Sequence, residues 1–211
     1  MTRSTNRIPR LRTRGRENRR KLMREAQRLM LEQPGLTPKF SDVFEVAGVS
    51  RGSAYRIYIG IDDLLQDIAS EWVINFVDHL RSGDPDTQPE SWVQVSDFIV
   101  QRGAEYWIAT SATMQLLPRL RSSAPDSYRL AVRAISGAVE DILDRYFETP
   151  DVPNWSHRLG FFVEMCELTF ADAVRTEDRI SQKRVLEAQI LGRTCLALDL
   201  PANLPLRKKA S

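Results

Sequence analysis

The sequence predicts an all-α protein, and three observations support this prediction. Apolar residues recur at the helical period of 3.6 over most of the 211-residue chain. No stretch alternates apolar and polar residues for long enough to predict a β-strand. Glycine and proline fall between the periodic segments, where they end helices. Because 42% of the residues are hydrophobic, the chain can form a core, and wholesale disorder is not expected.

Charge is distributed unevenly along the chain. The formal net charge is +2, but residues 1–60 hold 14 Lys and Arg against 5 Asp and Glu. Residues 61–211 hold 16 Lys and Arg against 23 Asp and Glu. This asymmetry indicates that the basic N-terminal segment binds a polyanion and that the acidic remainder does not. The alternative is a basic disordered segment that has no fixed partner.

Cysteine content and hydropathy favour a soluble cytoplasmic protein. Cys166 and Cys195 lie far apart in the sequence, so a disulfide framework is not expected and a reducing compartment fits. No apolar h-region follows the basic N-terminus, and no apolar run approaches the roughly 18 residues that a membrane span needs. We therefore expect no membrane association, and no sequence feature indicates a cofactor.

The first elements are an arm and an amphipathic helix. Residues 1–14 hold five arginines, no acid and Pro9, which predicts a flexible basic arm. A helical pattern begins at about Arg16 and ends at Gln33, before a Pro-Gly pair. Its apolar stripe consists of Leu22, Met23, Ala26, Leu29 and Met30.

Residues 37–58 predict two short helices joined by a turn. Thr37 and Pro38 fit the N-cap and the first position of the first helix. Gly48 supplies the turn, because a positive φ is cheap only for glycine. One face of the first helix carries Phe40, Val43, Phe44 and Ala47.

The second short helix begins after Ser50, a good N-cap, and is expected to run to about Tyr58. Val49 is the apolar residue tucked beneath the turn, and Ala54, Ile57 and Tyr58 can pack inward. The outer residues are Arg51, Ser53, Tyr55 and Arg56. A helix-turn-helix of this kind presents its second helix to base edges in DNA. The alternative is a pair of core helices with no contact to DNA.

The rest of the chain predicts further helices. An apolar stripe from Asp62 to Leu80 predicts a helix of about five turns. Residues 82–89 and 151–154 fit loops, and Pro118 should kink or end the helix that contains it. The later helices are expected near residues 91–109, 112–122, 126–147, 155–177 and 180–199.

The segment VFEVAGVSRGSAYRIY at residues 43–58 resembles the helix-turn-helix of the tetracycline-repressor (TetR) family of bacterial regulators. The resemblance extends over roughly residues 16–72, from the amphipathic first helix to the Asp-Asp-Leu-Leu sequence that follows Ile61. It implies a three-helix helix-turn-helix domain at residues 15–61, behind the arm, and a larger helical effector-binding and dimerisation domain at residues 62–211.

The resemblance implies a sequence-specific DNA-binding transcriptional regulator rather than an enzyme. We expect a repressor that a small, mainly apolar effector releases from a palindromic operator. Residue type and the resemblance together predict the DNA-contacting residues Ser41, Ser50, Arg51, Gly52, Ser53, Tyr55, Arg56 and Tyr58, with Arg10, Arg12 and Arg14 of the arm.

Three residues depart from the family's pattern. Phe44 stands close to the helix crossing, where the family usually has a small residue. Ile59 and Ile61 stand where proline and a phosphate-binding lysine are common. The resemblance therefore implies that one contact to the DNA backbone is missing, and we expect either the amides that follow Gly60 or the arginine-rich arm to replace it.

Large apolar and aromatic residues of the C-terminal helices are candidates for the walls of an effector pocket. The alternative for each is that it fills the core. Tyr106 and Trp107 are favoured because each joins an apolar ring to a polar group. The full set is Trp92, Phe98, Tyr106, Trp107, Met114, Leu117, Phe147, Phe162 and Met165.

The last two long helices are expected to form a homodimer. Apolar residues cover most of the circumference of residues 155–177, and residues 180–199 repeat the pattern. The small residues Ala188, Gly192 and Ala197 should let a partner helix approach closely. Two helices from each protomer would form a four-helix bundle, so that two DNA-binding domains face a palindromic operator. The alternative is that this apolar surface completes the core of a monomer.

Catalytic and metal-binding motifs do not stand out. His79 and His157 are the only histidines, and neither lies near a cysteine or carboxylate at metal-ligand spacing. The sequence shows no phosphate-binding glycine loop and no nucleophile elbow. Two further classes stay open: an architectural DNA-binding protein without an effector, and a helical interaction protein whose helix-turn-helix no longer binds DNA.

Overall fold

A computed structural model of the protein shows an all-α fold, as the hydrophobic pattern predicts. The structure describes residues 13–33, 36–110, 116–149, 151–198, 200–201 and 204–207. Within these ranges there is no strand, and no helix is long and apolar enough to span a membrane. The helices are α1 (Thr13–Glu32), α2 (Phe40–Val46), α3 (Arg51–Ala54), α4 (Ile61–Arg81), α5 (Trp92–Ala109), α6 (Leu116–Ser123), α7 (Pro125–Tyr146), α8 (Trp155–Glu177) and α9 (Gln182–Ala197).

The chain divides into two units by its internal contacts, the head at residues 1–68 and the body at residues 69–211. The division falls within α4, whereas the sequence predicts that the first domain ends at residue 61. The difference has a physical cause. Apolar residues in the first two turns of α4 are buried, and Asp67 of α4 bonds to side chains of the head.

The head is built around α1, which packs against α2 and α3. Leu22 and Ala26 of α1 are fully buried, as are Val43 of α2 and Ala54 of α3. The apolar stripe that the sequence predicts for the first helix therefore faces the helix-turn-helix.

Helix α1 begins at Thr13, before the predicted start at Arg16. Its first turn contains no apolar residue, so hydrophobic periodicity gives no signal there. Arg14 consequently lies in a helix and not in a flexible arm, which corrects the predicted boundary. Arg10 and Arg12 lie outside the described residues.

In the body, α8 and α9 pack closely against each other. Gly192 of α9 faces Phe162 of α8, and a Cβ added at that glycine would lie 2.6 Å from the phenyl ring. The Cys166 Sγ lies 4.0 Å from the carbonyl oxygen of Ala188. The small residues Ala188 and Gly192 thus admit α8 of the same chain, which corrects the prediction that they admit a partner helix.

Pro118 does not end its helix. In the described part of the chain, α6 begins at Leu116, and Pro118 is its third described residue. The helix then continues to Ser123. Met114, one of the predicted pocket residues, lies outside the described residues.

Two glycines of the body should respond in opposite ways to alanine. In a helix interior, alanine is about 1 kcal/mol more favourable than glycine. At Gly137 of α7 the added Cβ meets open space, so Gly137→Ala should be more stable than the wild type. At Gly192 the overlap with the Phe162 ring costs about 1–3 kcal/mol, so Gly192→Ala should be less stable. Urea unfolding measures both, and equal shifts would contradict this packing of α8 on α9.

Candidate nucleic-acid interface

A glycine turn joins α2 to α3. Gly48 has a φ of +63°, a value that glycine adopts without strain. Val49 follows and is buried, and its N–H donates to the carbonyl oxygen of Phe44 at 3.0 Å. The positive φ and the buried valine are both as the sequence predicts.

Helix α2 begins later than predicted. Lys39 occupies the N-cap position that the sequence assigned to Thr37. Its carbonyl oxygen accepts the first helical bonds, from the N–H groups of Asp42 and Val43 at 3.1 and 3.2 Å. Pro38 therefore precedes the helix, in a segment without regular secondary structure.

Helix α3 has only four residues and ends at Ala54, before the predicted end near Tyr58. Ser50 stands at the N-cap, as predicted, but its hydroxyl bonds to the Ser53 Oγ at 2.9 Å and does not cap a backbone N–H. The chain continues as a turn in which the Tyr58 N–H donates to the carbonyl oxygen of Ala54 at 3.0 Å. Because so short a helix is unstable alone, its orientation depends on contacts with other elements.

An aromatic cluster holds α3 against α2. The Tyr55 ring lies edge-on to Phe40, with the two ring centroids 5.2 Å apart, and its centroid lies 6.2 Å from that of Phe44. Aromatic pairs of this kind contribute about 0.5–1.5 kcal/mol beyond their burial. Phe44 thus fills space at the helix crossing together with Tyr55, which explains how the chain accommodates this departure from the family's pattern. Tyr55 remains 48% exposed.

The outer surface of α2, α3 and the following turn presents most of the residues predicted to contact DNA. Six of them are exposed and Ser53 is half-buried; the exposed ones are Ser41, Ser50, Arg51, Gly52, Tyr55 and Arg56. The Arg51 guanidinium lies 5.7 Å from the centroid of the Tyr55 ring. Arg56 donates from Nε to the Gly52 carbonyl oxygen and from Nη2 to the Ser53 Oγ, both at 3.1 Å. Both guanidinium groups keep further N–H donors for a ligand.

Tyr58 lies inside the head, which removes it from the predicted DNA-contacting set. It is 4% exposed, and its hydroxyl donates to the Asp67 Oδ2 at 2.5 Å. Arg19 of α1 donates to both oxygens of the same carboxylate at 2.7 Å. Burial and the bond to Asp67 raise the pKa of Tyr58, so its hydroxyl stays a donor. Sequence reasoning missed Asp67 and Arg19, because each resembles an ordinary solvated charge on a helix.

The segment that opens α4 carries acids and isoleucine. Ile59 is 88% exposed, and its N–H donates to the Asp63 Oδ2 at 3.1 Å. Asp62 and Asp63 lie in the first turn, where acids stabilise a helix N-terminus. The same acids repel a phosphate group, so this geometry counts against the expectation that the amides after Gly60 bind one.

The body contains an apolar cavity of about 40 Å³. Three of the predicted pocket residues line it: Trp107, Leu117 and Phe162. A water molecule needs roughly 10–15 Å³ by such a measure, whereas pockets for drug-sized ligands span roughly 300–1,000 Å³. A drug-sized effector therefore fits only if the walls of the cavity move.

The other described residues of the predicted pocket do not line this cavity. They are Trp92, Phe98, Tyr106, Phe147 and Met165. The Trp92 Nε1 donates to the carbonyl oxygen of Pro201 at 3.0 Å. The ring centroids of Tyr106 and Trp72 lie 5.5 Å apart. These residues pack in the core or lie half-buried, and their assignment to a pocket wall stays a prediction.

One wall of the cavity is polar. Glu167 of α8 is 5% exposed, and its Oε2 accepts hydrogen bonds from the Tyr128 hydroxyl at 3.0 Å and from the Arg121 Nη2. The Arg121 guanidinium also lies 4.7 Å from the centroid of the Tyr128 ring. Burial raises the pKa of Glu167, and Arg121 only partly offsets the rise. Sequence reasoning missed this cluster, because its members come from three different helices.

The structure also locates the groups that could take part in metal or thiol chemistry. Among the residues it describes, no group of three or more His, Cys, Asp or Glu could hold a metal ion. Cys166 and Cys195 are free thiols, and burial raises the pKa of Cys166 to about 12. A thiol with so high a pKa is protonated at neutral pH.

Solved structures with the same arrangement of helices are TetR-family regulators. A protein from Syntrophomonas wolfei assigned to that family has a TM-score of 0.66 at 12% identity, over 88% of this chain and 97% of its own. A TetR transcriptional regulator from Rhodococcus sp. RHA1 has a TM-score of 0.65 at 16% identity, over 87% and 97%. A TetR-family regulator from Streptomyces coelicolor has a TM-score of 0.63 at 16% identity, over 87% and 80%.

The fold of this chain is thus the TetR fold, as the resemblance at residues 43–58 predicts. The likeness lies in the arrangement of helices, because identities of 12% and 16% leave few residues in common. No protein-family model and no curated protein matches the chain.

Removing the Tyr58 hydroxyl should destabilise the head. Tyr58→Phe keeps the ring and takes one donor from a carboxylate, and a hydrogen bond to a charged group contributes about 1.5–3 kcal/mol. Amide hydrogen exchange in α1 and α3 should therefore accelerate. Tyr55→Phe, which removes a hydroxyl from an exposed ring, is the control and should change little. Unchanged exchange in Tyr58→Phe would contradict a supporting role for the bond to Asp67.

Proposed function

We propose that this chain is a sequence-specific DNA-binding transcriptional regulator that works as a homodimer on a palindromic operator. The observation that carries the proposal is the exposed surface of α3 and the turn after it, which follow a glycine turn and hold Arg51 and Arg56 within a TetR fold. A protein with this function works in the cytoplasm, where its DNA lies.

Base recognition is assigned to α3 and the turn after it. Arg51 and Arg56 project from the exposed face, and arginine pairs with the O6 and N7 atoms of guanine in the major groove. The hydroxyls of Ser53 and Tyr55 offer shorter contacts to bases or phosphates. Because Tyr55 is anchored on Phe40, its ring is positioned before DNA arrives, and less side-chain entropy is lost on binding.

Contacts to the DNA backbone are assigned to the basic surface of α1 and to the arm. Arg14, Arg16 and Arg20 are exposed on α1, and Arg10 and Arg12 precede it in sequence. Basic arms enter the minor groove in other DNA-binding proteins. These arginines take over the role of the phosphate-binding lysine that α4 lacks. Because such contacts release counterions, affinity should fall steeply with salt for all DNA sequences.

The dimer interface is assigned to the outer face of α8 and α9. In the single chain these elements expose large apolar side chains, namely Phe161 and Leu168 of α8, Leu186 and Ile190 of α9, and Leu198 directly after α9. A cluster of exposed apolar residues is typical of an interaction surface. Two copies that pack through these helices form a four-helix bundle with two-fold symmetry. Their two heads then read half-sites about one helical turn apart, or a multiple of it.

Release from DNA by a small, mainly apolar effector completes the proposal, with repression in its absence. The effector must bind the conformation that does not bind DNA more tightly than the one that does, since affinity alone shifts no equilibrium. Its site is assigned to the cavity of the body, which Trp107, Leu117 and Phe162 line. Entry of more than a few atoms requires these walls to move.

The small volume of the cavity, about 40 Å³, favours a second candidate, a DNA-binding protein without an effector. Two measurements separate the candidates. Tight binding to one operator, compared with random DNA, indicates a regulator and not an architectural protein. A lipophilic compound that raises the melting temperature and weakens operator binding identifies an effector, and a screen without such a compound favours the second candidate.

Loss of Arg51 of α3 and of Arg56 in the turn after it should remove specific DNA binding. Each base-reading arginine contributes about 1–3 kcal/mol, so Arg51→Ala with Arg56→Ala should weaken operator binding roughly 5–150-fold per residue. Fluorescence anisotropy at fixed salt measures the change. Arg129→Ala with Arg175→Ala removes two exposed arginines of the body and should leave affinity unchanged. Equal affinity of the α3 variant and the wild type would overturn the assignment.

Charges on the outer face of α8 and α9 should dissociate the dimer. Leu168→Glu with Ile190→Glu buries two acids at the proposed interface, and unpaired buried charge is strongly unfavourable. Sedimentation velocity at micromolar concentration should show a dimeric wild type and a monomeric variant. Ile74→Glu with Ile108→Glu alters exposed apolar residues of α4 and α5 and should stay dimeric. A monomeric wild type, or a dimer that survives the α8 and α9 charges, would exclude this interface.

A further inference from the structure

We propose that the cavity of the body selects a compact apolar molecule that carries one hydrogen-bond donor, which the Oε1 atom of Glu167 accepts. The inference rests on the proposed function, because it names the class of effector that the cavity takes. It also adds a polar requirement that a purely apolar pocket would not have.

The first observation is an unsatisfied carboxylate oxygen. Glu167 lines the cavity and is 5% exposed. Its Oε2 is occupied by the Tyr128 hydroxyl and the Arg121 guanidinium, whereas its Oε1 has no hydrogen-bond partner among the described residues. Buried polar atoms in folded proteins are nearly always hydrogen-bonded, so an orphaned acceptor beside a cavity indicates a missing donor.

The second observation is that the carboxylate is held in place. Arg121 and Tyr128 fix its Oε2 from α6 and α7, and the Arg121 guanidinium packs on the Tyr128 ring at 4.7 Å. The Oε1 atom therefore keeps one position, on a side chain that lines the cavity. Because Arg121 balances the charge of Glu167, the ligand needs a donor and does not need a positive charge.

The third observation is the apolar character of the remaining walls. Phe76, Trp107, Phe162 and Phe170 supply aromatic surface, and the lining is otherwise mostly aliphatic. The Cys166 thiol also lines the cavity, but burial raises its pKa to about 12, so it is neutral at physiological pH. Glu167 thus supplies an unpaired acceptor oxygen on a lining that is otherwise mostly apolar.

Phenol and fluorobenzene test the proposal, since they differ only in a hydroxyl group against a fluorine atom, and only phenol can donate a hydrogen bond. Their affinities are measured by ligand-observed NMR on the full chain. The Phe170→Leu variant is measured beside the wild type, because the smaller side chain enlarges the cavity and makes space for the ring of the ligand. We expect phenol to bind at the cavity, with its preference over fluorobenzene set by Glu167.

Variants that lack the Glu167 carboxylate show how much of the preference for phenol depends on it. Glu167→Met with Arg121→Met removes the pair without leaving one charge buried. The ratio of the fluorobenzene Kd to the phenol Kd should be at least tenfold lower in this double variant than in the protein with the intact pair. If the double variant does not fold, Glu167→Gln decides, with an expected drop of at least threefold. An unchanged ratio, or no binding of phenol to either the wild type or Phe170→Leu, would overturn the proposal.

Operator binding of the same variants without phenol separates this inference from the proposed function. The double variant lies in the body, so it should still bind the operator. If the wild type binds no operator, the proposed regulatory function is wrong, but a measured preference for phenol over fluorobenzene would still support the inference about Glu167. Retained operator binding with no phenol preference would refute only the donor requirement.

Discussion

The orientation of α3 depends on side chains outside it, because a helix of four residues has no stability of its own. Tyr55 fixes one side on Phe40, Ala54 is buried in the head, and Tyr58 joins the following turn to Asp67 of α4. Helix α1 contributes an arginine to the same carboxylate. All elements of the head therefore meet at one short stretch of chain. The contacts that fold the head are therefore the same contacts that orient the α3 surface.

The uneven distribution of charge distinguishes the basic N-terminal part of the chain, which suits contact with a polyanion, from the acidic remainder, which does not. The excess of basic over acidic residues lies before residue 61, and the excess of acids in the remainder disfavours contact with a polyanion. Within the head, Asp62 and Asp63 stabilise the start of α4 and make that corner unfavourable for phosphate. In the proposed complex, contacts to the DNA backbone therefore fall to α1 and the arm, and the uncharged turn around Gly48 lets α3 approach the bases.

Much of the fold could be predicted from the sequence, because helical periodicity and glycine turns are local signals. The φ of Gly48 and the burial of Val49 needed only neighbouring residues. Side-chain partners were not predictable, since they join distant segments: Tyr58 turned inward to Asp67, and Glu167 met two other helices. Most predicted pocket residues pack in the core or at its edge. Their size and aromaticity suggested a pocket, but these properties do not distinguish residues that line a pocket from residues that fill the core.

The central claim is that two copies of the α3 surface read one symmetric DNA sequence. Selection of bound fragments from the genome of the source organism, followed by footprinting of the enriched fragments, tests it most directly. The account predicts enrichment of a palindromic sequence, with two protected half-sites one helical turn apart or a multiple of it. It also predicts that protection weakens as salt is raised. Fragments without a shared sequence, or a single unsymmetrical footprint, would contradict it.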